Sequence, residues 1–309
     1  MSVLFTFPGQ GSQRAGMLKR LAHLPQAQRV IEQTSQTLAD DVLAWDTDTA
    51  LRSTVAVQIC LLAAGVAMAT VLVEQGAAPD MVAGLSIGAF PAAVTAGVLQ
   101  YTDAVRLVKL RATLMQQRFP AGYGMTAING LSAEALAPLI QQVHSPEHPV
   151  YLANLNGPRQ LVIAGSDTAL KRVAALALEQ GAARTTRLDI AVPSHCPLLE
   201  EDALTLQQAF RDVPVRQPRL RYLSSSRARA LTDEQDIAHD LAFNLARQVR
   251  WYDTMQLAWE QGARLAVEMP SGSVLSGLTA PVFATGRVAC SDNNRPESLA
   301  ALILRAHRQ

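Results

Sequence analysis

Short apolar runs of strand length alternate with helical patterns along most of the chain. Residues 3–7 are typical of a buried strand that ends at Pro8, and residues 81–85 predict a second strand. Between them, an apolar pattern over residues 54–74 predicts a long buried helix. Because strands and helices alternate, we predict an α/β fold with a mostly parallel sheet that helices cover on both faces.

The pattern changes after Gly124. Strand patterns occupy residues 125–130, 150–153, 160–164 and 183–190, and helical patterns occupy residues 132–143 and 167–180. The resulting βαββαβ order is that of a ferredoxin-like unit. We therefore predict an inserted ferredoxin-like small subdomain at residues 125–190 and a large α/β subdomain built from residues 1–124 and 191–309.

The rest of the chain follows the alternating pattern again. Helices are predicted at residues 87–98, 102–117 (ending before Pro120), 198–210, 233–249, 251–261, 273–279 and 297–308. Strands are predicted at residues 220–224, 265–269 and 287–290. Residues 14–53 show only polar helical patches.

The turn Gly84-Leu-Ser-Ile-Gly88 joins the second strand to a helix and matches the G-x-S-x-G nucleophile elbow of α/β-hydrolase-like folds. Residues two positions either side of the serine must lack side chains for such a tight turn to close. The Ser86 oxygen then projects at a helix N-terminus, where backbone N–H groups favour developing negative charge. A glycine-rich strand-to-helix turn with an ordinary serine gives the same pattern.

Two further side chains stand in unusual settings. Arg111 falls in the middle of the apolar stripe of its helix, four residues after Leu107, where a guanidinium is costly unless an anion meets it. It is either a clamp for a substrate carboxylate, a snorkelling arginine or part of a structural ion pair. His195 lies in a proline-bracketed loop soon after a strand, a suitable position for a general base.

Composition narrows the possible functions. The chain has 309 residues, a net charge of +1 and 17% charged residues, which does not indicate a nucleic-acid surface. Cys60, Cys196 and Cys290 are scattered and odd in number, so we expect no disulfide framework and a cytoplasmic location. We expect no metal site, because Pro146 separates His144 from His148. The longest apolar stretch, residues 59–73, is short for a membrane span.

Several motifs occur together in a fixed order. They are Phe7-Pro-Gly-Gln-Gly-Ser-Gln13, the elbow, Arg111, Asn154-Leu-Asn156 with Gln160-Leu-Val-Ile-Ala-Gly165, and Pro193-Ser-His195. Together they resemble malonyl-CoA:acyl carrier protein transacylases and the acyltransferase domains of fatty acid and polyketide synthases. The resemblance covers nearly the whole chain and includes the inserted unit.

The resemblance implies a role for each candidate residue. Ser86 would be the nucleophile and His195 its general base, and Gln10 and Ile87 would supply oxyanion-hole N–H groups. Arg111 would pair with the free carboxylate of a malonyl group.

Two asparagines would have supporting roles. Asn244, where relatives usually carry Gln, would orient the histidine through its backbone carbonyl, and Asn156 would support the site. Malonyl-CoA would be a substrate, an acyl carrier protein the acceptor, and no cofactor would be bound permanently. Neither a nucleic acid nor a membrane is an expected partner.

Leu85 and Ala89 depart from the family pattern, since relatives usually carry His before the serine and many carry Glu at the second position. The variant elbow, together with Phe5-Thr-Phe-Pro-Gly-Gln-Gly-Ser-Gln13, looks most like the transacylase (epsilon) subunit of malonate decarboxylase. That likeness implies a dedicated malonate decarboxylase carrier subunit as acceptor, with other decarboxylase subunits as further partners. The alternatives are a transacylase of fatty acid or polyketide synthesis, a serine thioesterase with the same dyad, and a non-catalytic assembly subunit.

Overall fold

The computed structural model describes residues 1–119 and 121–309, and its strands form two sheets. The strands are β1 (Ser2–Phe7), β2 (Met81–Gly84), β3 (Tyr123–Asn129), β4 (Val150–Gly157), β5 (Gln160–Ser166), β6 (Arg184–Arg187), β7 (Arg221–Ser224), β8 (Arg229–Leu231), β9 (Ala263–Glu268) and β10 (Arg287–Cys290). The helices are α1 (Pro25–Leu38), α2 (Val42–Trp45), α3 (Thr54–Glu74), α4 (Ala89–Thr95), α5 (Tyr101–Arg118), α6 (Ala133–Val143), α7 (Asp167–Glu179), α8 (Glu200–Ala209), α9 (Glu234–Phe243), α10 (Trp251–Glu260), α11 (Val274–Thr279) and α12 (Pro296–His307).

The larger sheet has the strand order β10-β9-β1-β2-β7-β8. All neighbouring strands are parallel except β7 and β8, which form an antiparallel edge pair. The predicted α/β class with a mostly parallel sheet is therefore confirmed. Because β1 and β2 lie side by side and parallel, the loops that follow them emerge at the same edge of the sheet.

The smaller sheet is antiparallel, with the order β4-β5-β3-β6. The elements β3-α6-β4-β5-α7-β6 give the βαββαβ sequence and the strand order of a ferredoxin-like unit. Ser132 and Ser166 cap its two helices by accepting from backbone N–H groups. The division into residues 1–124 with 191–309 and residues 125–190 stays a prediction.

Some element boundaries differ from the sequence prediction. The helix predicted at residues 233–249 ends at Phe243, because Asn244–Ala246 forms a 3-10 turn. The strand predicted at residues 183–190 is only Arg184–Arg187, because pairing with β3 ends after the Leu188 N–H, which donates to the Met125 carbonyl. Helix α1 lies where the sequence showed only polar patches, and Pro120, predicted to follow a helix end, is outside the described residues.

Helix α3 forms the centre of the main core. It alone among the described helices has the length and apolar composition to cross a membrane, but 89% of that segment is buried inside the structure. It packs against α1 and α5. The burial is that of a core helix.

Strand β4 of the small sheet is hydrogen-bonded to the segment that precedes α10. The Val249 N–H donates to the Ala153 carbonyl at 2.8 Å, and the Leu155 N–H donates to the Val249 carbonyl at 2.8 Å. The Gln248 side chain adds a bond of 2.9 Å to the Leu152 carbonyl. Strand β4 is thus fixed to the segment that follows the 3-10 turn after α9.

Candidate active site

The elbow places Ser86 at the carboxyl end of β2, at the start of the 3-10 turn Ser86–Gly88. Its φ of +57° is left-handed, an uncommon backbone conformation for a residue with a side chain. A Cβ at Gly84 would lie 2.0 Å from the Gly88 backbone, and one at Gly88 would lie 2.0 Å from the Phe7 carbonyl oxygen. Both glycines are therefore required by close approach of backbone, as the motif predicts.

His195 is held by three backbone carbonyls. Its N–H donates to the Leu245 carbonyl at 2.7 Å, and its Nδ1 lies 2.8 Å from the Asn244 carbonyl oxygen and 3.2 Å from that of Arg247. Carbonyl oxygens only accept, so Nδ1 carries the proton and the lone pair of the neutral ring is on Nε2. The imidazole is 3% exposed, and its backbone φ of +64° is also left-handed.

The electrostatics keep this imidazole neutral. Burial, followed by the positive charge of Arg111, lowers the pKa of His195 to about 4. The two backbone carbonyls act in the opposite direction but do not offset the burial. A neutral imidazole with a free Nε2 can accept a proton at neutral pH.

Arg111 is completely buried and lies among neutral partners. Nη1 donates to Gln58 Oε1 at 2.6 Å, and Nη2 donates to Ser86 Oγ at 3.2 Å and to Asn244 Oδ1 at 3.4 Å. Within residues 1–119 and 121–309, no carboxylate pairs with it and its buried Nε has no partner. Burial lowers the pKa of Arg111 to about 9, so the group is still a cation at neutral pH.

These contacts argue against two of the three interpretations of Arg111. A snorkelling arginine would reach solvent, and a structural ion pair would have an acid beside it. The guanidinium does neither, and it contacts the candidate nucleophile directly. A buried cation without a counter-ion is the setting expected for an anion-binding group.

Ser86 and His195 line the same cavity, which has a volume of about 490 Å³. The hydrogen bond that Ser86 Oγ makes is with Arg111; none to His195 Nε2 is formed in the described part of the chain. A serine hydroxyl can reorient by rotation about χ1, and catalytic hydrogen bonds often form only with substrate bound.

The cavity lies between the large sheet and the small one. The loop after β1, including Gln10, forms one wall, and Ala127 and Val162 of the small sheet form the opposite wall. Asn154 and Asn156 also line it, each with a buried side-chain oxygen that has no partner among the described residues. Such oxygens can accept hydrogen bonds from amide groups of a bound molecule.

The backbone N–H groups of Gln10 and Ile87 follow the carboxyl ends of β1 and β2, respectively. Neither donates a hydrogen bond within the described part of the chain. Gln10 lines the cavity, whereas the Ile87 side chain packs in the core. Two free N–H groups flanking a serine can stabilise an oxyanion.

The turn that orients His195 is anchored by a charged contact. Arg247 forms a two-pronged ion pair with Glu200 at the start of α8, with one bond of 2.9 Å, and its guanidinium stacks over the Phe243 ring at 5.0 Å. Phe243 and Arg247 lie on either side of Asn244 in the sequence. The contact therefore fixes the carbonyls that hold the imidazole.

The pattern of the acyl transferase domain matches residues 4–297. This match covers nearly the whole chain and contains all the candidate residues described above. The chain belongs to the acyl transferase family.

Similar proteins of this acyl transferase family are known from several bacteria. The malonyl CoA-acyl carrier protein transacylase of Haemophilus influenzae is 38% identical over 280 residues, which is 88% of this chain and 89% of that protein. The crystal structure of FabD from Acinetobacter baumannii has a TM-score of 0.93, is 34% identical and covers 99% of both chains. A malonyl-transacylase in complex with a type II PKS acyl-carrier protein has a TM-score of 0.91 and is 32% identical, covering 99% of this chain and 100% of that one.

Within this acyl transferase, sequence reasoning missed Gln58, the closest partner of Arg111. It is 1% exposed in the first turns of α3, and its side-chain N–H also contacts Met115 Sδ at 3.5 Å. A single amide inside a long apolar run was the signal that could have found it, because such a group needs a buried polar partner.

The two departures from the family pattern occupy different surroundings. Leu85 lines the cavity and packs beside Gly9, whereas Ala89 is 3% exposed in the first turn of α4. Leu85 therefore makes the wall next to the nucleophile apolar. The hydrogen bond between Ser86 Oγ and Arg111 does not involve either residue.

Proposed function

We propose that this acyl transferase moves a malonyl group from malonyl-CoA to the thiol of an acyl carrier protein, through a malonyl-Ser86 intermediate. The observation that carries the proposal is the buried, uncompensated guanidinium of Arg111, 3.2 Å from Ser86 Oγ. A malonyl group is an acyl chain that ends in a carboxylate, so it suits a site with a nucleophile beside a buried cation. The names of the similar transacylases support the same donor and acceptor.

In the first half-reaction, the malonyl carboxylate binds Arg111 and the thioester carbonyl lies against Ser86. His195 Nε2 takes the hydroxyl proton while Oγ attacks the carbonyl carbon. The N–H groups of Gln10 and Ile87 hold the oxyanion, at about 10²–10³ in rate for each donor. The carbon–sulfur bond then breaks, and the CoA thiolate leaves with the proton held by His195.

The second half-reaction reverses these steps with the carrier thiol. His195 takes the thiol proton, the sulfur attacks the malonyl-Ser86 ester, and Oγ leaves with the proton. Asn154 and Asn156 would accept hydrogen bonds from the amides of the pantetheine arm along the cavity wall. The low exposure of Ser86, 8%, limits attack by water and favours transfer over thioester hydrolysis.

The acceptor has two candidates. A phosphopantetheine carrier of fatty acid or polyketide synthesis is the first, and the names of the similar proteins support it. A malonate decarboxylase carrier, with the other decarboxylase subunits as partners, is the second, and only the sequence likeness of the elbow variant and residues 5–13 favours it. In either case we infer a cytoplasmic enzyme, from the composition and the free buried cysteines.

An acyl-transfer assay with both carriers tests this proposal. Malonyl-CoA should load the phosphopantetheine carrier, and Ser86→Ala should abolish loading. Arg111→Ala should lower malonyl transfer by about 3 kcal/mol, roughly 150-fold, and should affect acetyl transfer far less.

Two outcomes would contradict the proposal, whereas loading of the decarboxylase carrier alone would identify the second acceptor. Fast CoA release without any carrier would indicate a thioesterase. An inert Ser86 would indicate a non-catalytic subunit.

A further inference from the structure

The same guanidinium that would bind the substrate also holds the nucleophile. Arg111 Nη2 donates to Ser86 Oγ at 3.2 Å, while Nε of the same group has no partner. From this geometry we infer that Arg111 keeps Ser86 unreactive in the free enzyme, and that the substrate carboxylate releases it. The inference deepens the proposed function and rests on it, because it makes the malonyl group the activator of its own transfer.

The hydrogen bond restrains the hydroxyl in two ways. It occupies a lone pair on Oγ, which lowers the nucleophilicity of the oxygen, because the donor is a cation. It also fixes Oγ on the side of Arg111, and no bond to His195 Nε2 is formed in the described part of the chain. The proposed nucleophile and base therefore lie in the same cavity without the hydrogen bond through which the proton would pass from Ser86 to His195.

The free edge of the guanidinium fits a carboxylate. Nη1 is taken by Gln58 Oε1 at 2.6 Å, whereas Nε has no partner and Nη2 makes two longer bonds, to Ser86 Oγ at 3.2 Å and Asn244 Oδ1 at 3.4 Å. The Nε–Nη2 edge is therefore the fork that can bind two carboxylate oxygens in parallel. A carboxylate bound in this way takes the Nη2 donor from Ser86. Oγ is then free to rotate and donate its proton to His195 Nε2, before it attacks the thioester carbon and the thiolate leaves.

The negative charge of the carboxylate also favours activation of Ser86. The positive charge of Arg111 is the second cause, after burial, of the lowered pKa of His195. A carboxylate beside Arg111 neutralises that charge, so the imidazole becomes a stronger base at the moment when Oγ is released. An acetyl group has no carboxylate and produces neither effect. Selectivity for malonyl would then arise in the acylation rate as well as in binding.

A substrate divided into two pieces tests the inference. Acetyl-CoA supplies the thioester and sodium formate supplies the carboxylate, so together they match malonyl-CoA without the bond between the pieces. Formate should raise the rate of Ser86 acetylation saturably, by about tenfold, which corresponds to about 1.4 kcal/mol of barrier. Sodium chloride at the same ionic strength should not. The readout is acetylated protein by intact-mass spectrometry after rapid quenching.

A neutral reagent gives a second readout that does not involve CoA. Phenylmethylsulfonyl fluoride sulfonylates serine as the Oγ–S bond forms, fluoride leaves and His195 takes the proton. Formate should accelerate this reaction in the wild type. Arg111→Met should react faster without formate and should not respond to it, whereas Arg106→Met, an exposed position on the same helix, should behave as the wild type.

The outcomes separate this inference from the proposed function. If formate slows both reactions or leaves them unchanged, Arg111 does not restrain Ser86, even where malonyl-CoA still malonylates the serine. If formate accelerates sulfonylation but malonyl-CoA gives no adduct, the restraint stands and the proposed function is wrong. The formate experiment uses the wild-type protein, so it does not depend on the folding of Arg111→Met.

Discussion

His195 is a buried base whose proton affinity is set by its surroundings. Burial and then the Arg111 charge lower its pKa to about 4. Below that pKa the ring is protonated and cannot take the Ser86 proton, and above it the ring is neutral and competent.

We therefore predict that the acid limb of kcat/KM for acetyl-CoA lies near pH 4 and not near the ordinary histidine pKa of about 6.5. Acetyl-CoA is the suitable donor because it lacks a carboxylate that titrates in this range. Arg111→Met removes the positive charge that helps to lower the pKa of His195, so this variant should lose activity at a higher pH than the wild type does. A wild-type limb at pH 6–7 would mean that the imidazole is solvated in the free enzyme.

Gln58 keeps Arg111 in place without neutralising it. Its amide oxygen accepts from Nη1 at 2.6 Å, and an amide carries no net charge. A glutamate of the same length would put a carboxylate at that distance and would compete with the carboxylate of the substrate.

Gln58→Glu should consequently lower malonyl transfer by about 2 kcal/mol or more, roughly 30-fold, while acetyl transfer is not lowered. Transfer rates with the two donors in one preparation make the comparison, and thermal unfolding shows whether the variant is folded. Equal losses with both donors would mean that the change disrupts the cavity and not the charge of the guanidinium.

Individual residues differ in how far the sequence reveals them. Ser86 could be predicted because its motif is local, and Arg111 because a charge interrupts an apolar stripe. Gln58 could not be assigned to the site, because its contact with Arg111 joins positions 53 residues apart. The backbone carbonyl that orients His195 carries no side-chain signal, so only the family resemblance pointed to Asn244.

At the scale of elements, the elbow depends on backbone contacts that allow no side chain. A Cβ at Gly88 would lie 2.0 Å from the Phe7 carbonyl oxygen at the end of β1, and backbone atoms cannot move aside cheaply. Strand β1 and the turn after β2 are thus in direct contact.

Gly88→Ala should destabilise the protein by about 3 kcal/mol or more, or prevent it from folding. The control is Gly277→Ala in α11, where a Cβ has nothing within 4 Å and the change should be neutral or slightly stabilising. Urea unfolding of both variants measures the difference. Equal stability of the two would show that the elbow tolerates a side chain.

Most elements followed from their periodicity, including the whole ferredoxin-like unit, because each strand and helix there has its own apolar pattern and turn residues. The helix predicted at residues 233–249 was too long because the chain must turn at Asn244 for its carbonyl to meet His195. His195 and Asn244 are 49 residues apart, so the periodicity of the local sequence carries no information about their contact.

For the whole molecule, the site exists only where the two sheets meet. The segment after the His195-orienting turn is hydrogen-bonded to β4 through Val249, and β4 carries Asn154 and Asn156 along the cavity. His195 and the wall that Asn154 and Asn156 form are therefore held in one arrangement. The sequence indicated both units, but the cavity between them depends on packing that no single segment encodes.

The central claim is that Ser86 accepts a malonyl group because Arg111 receives its carboxylate. Rapid mixing with malonyl-CoA, followed by an acid quench and mass spectrometry of peptides, tests it most directly. We predict a malonyl ester on Ser86 that forms within the turnover time, disappears when the carrier thiol is added, and is absent in Ser86→Ala and strongly reduced in Arg111→Met. A malonyl group on another residue, or an unmodified Ser86 while CoA is released, would contradict the account.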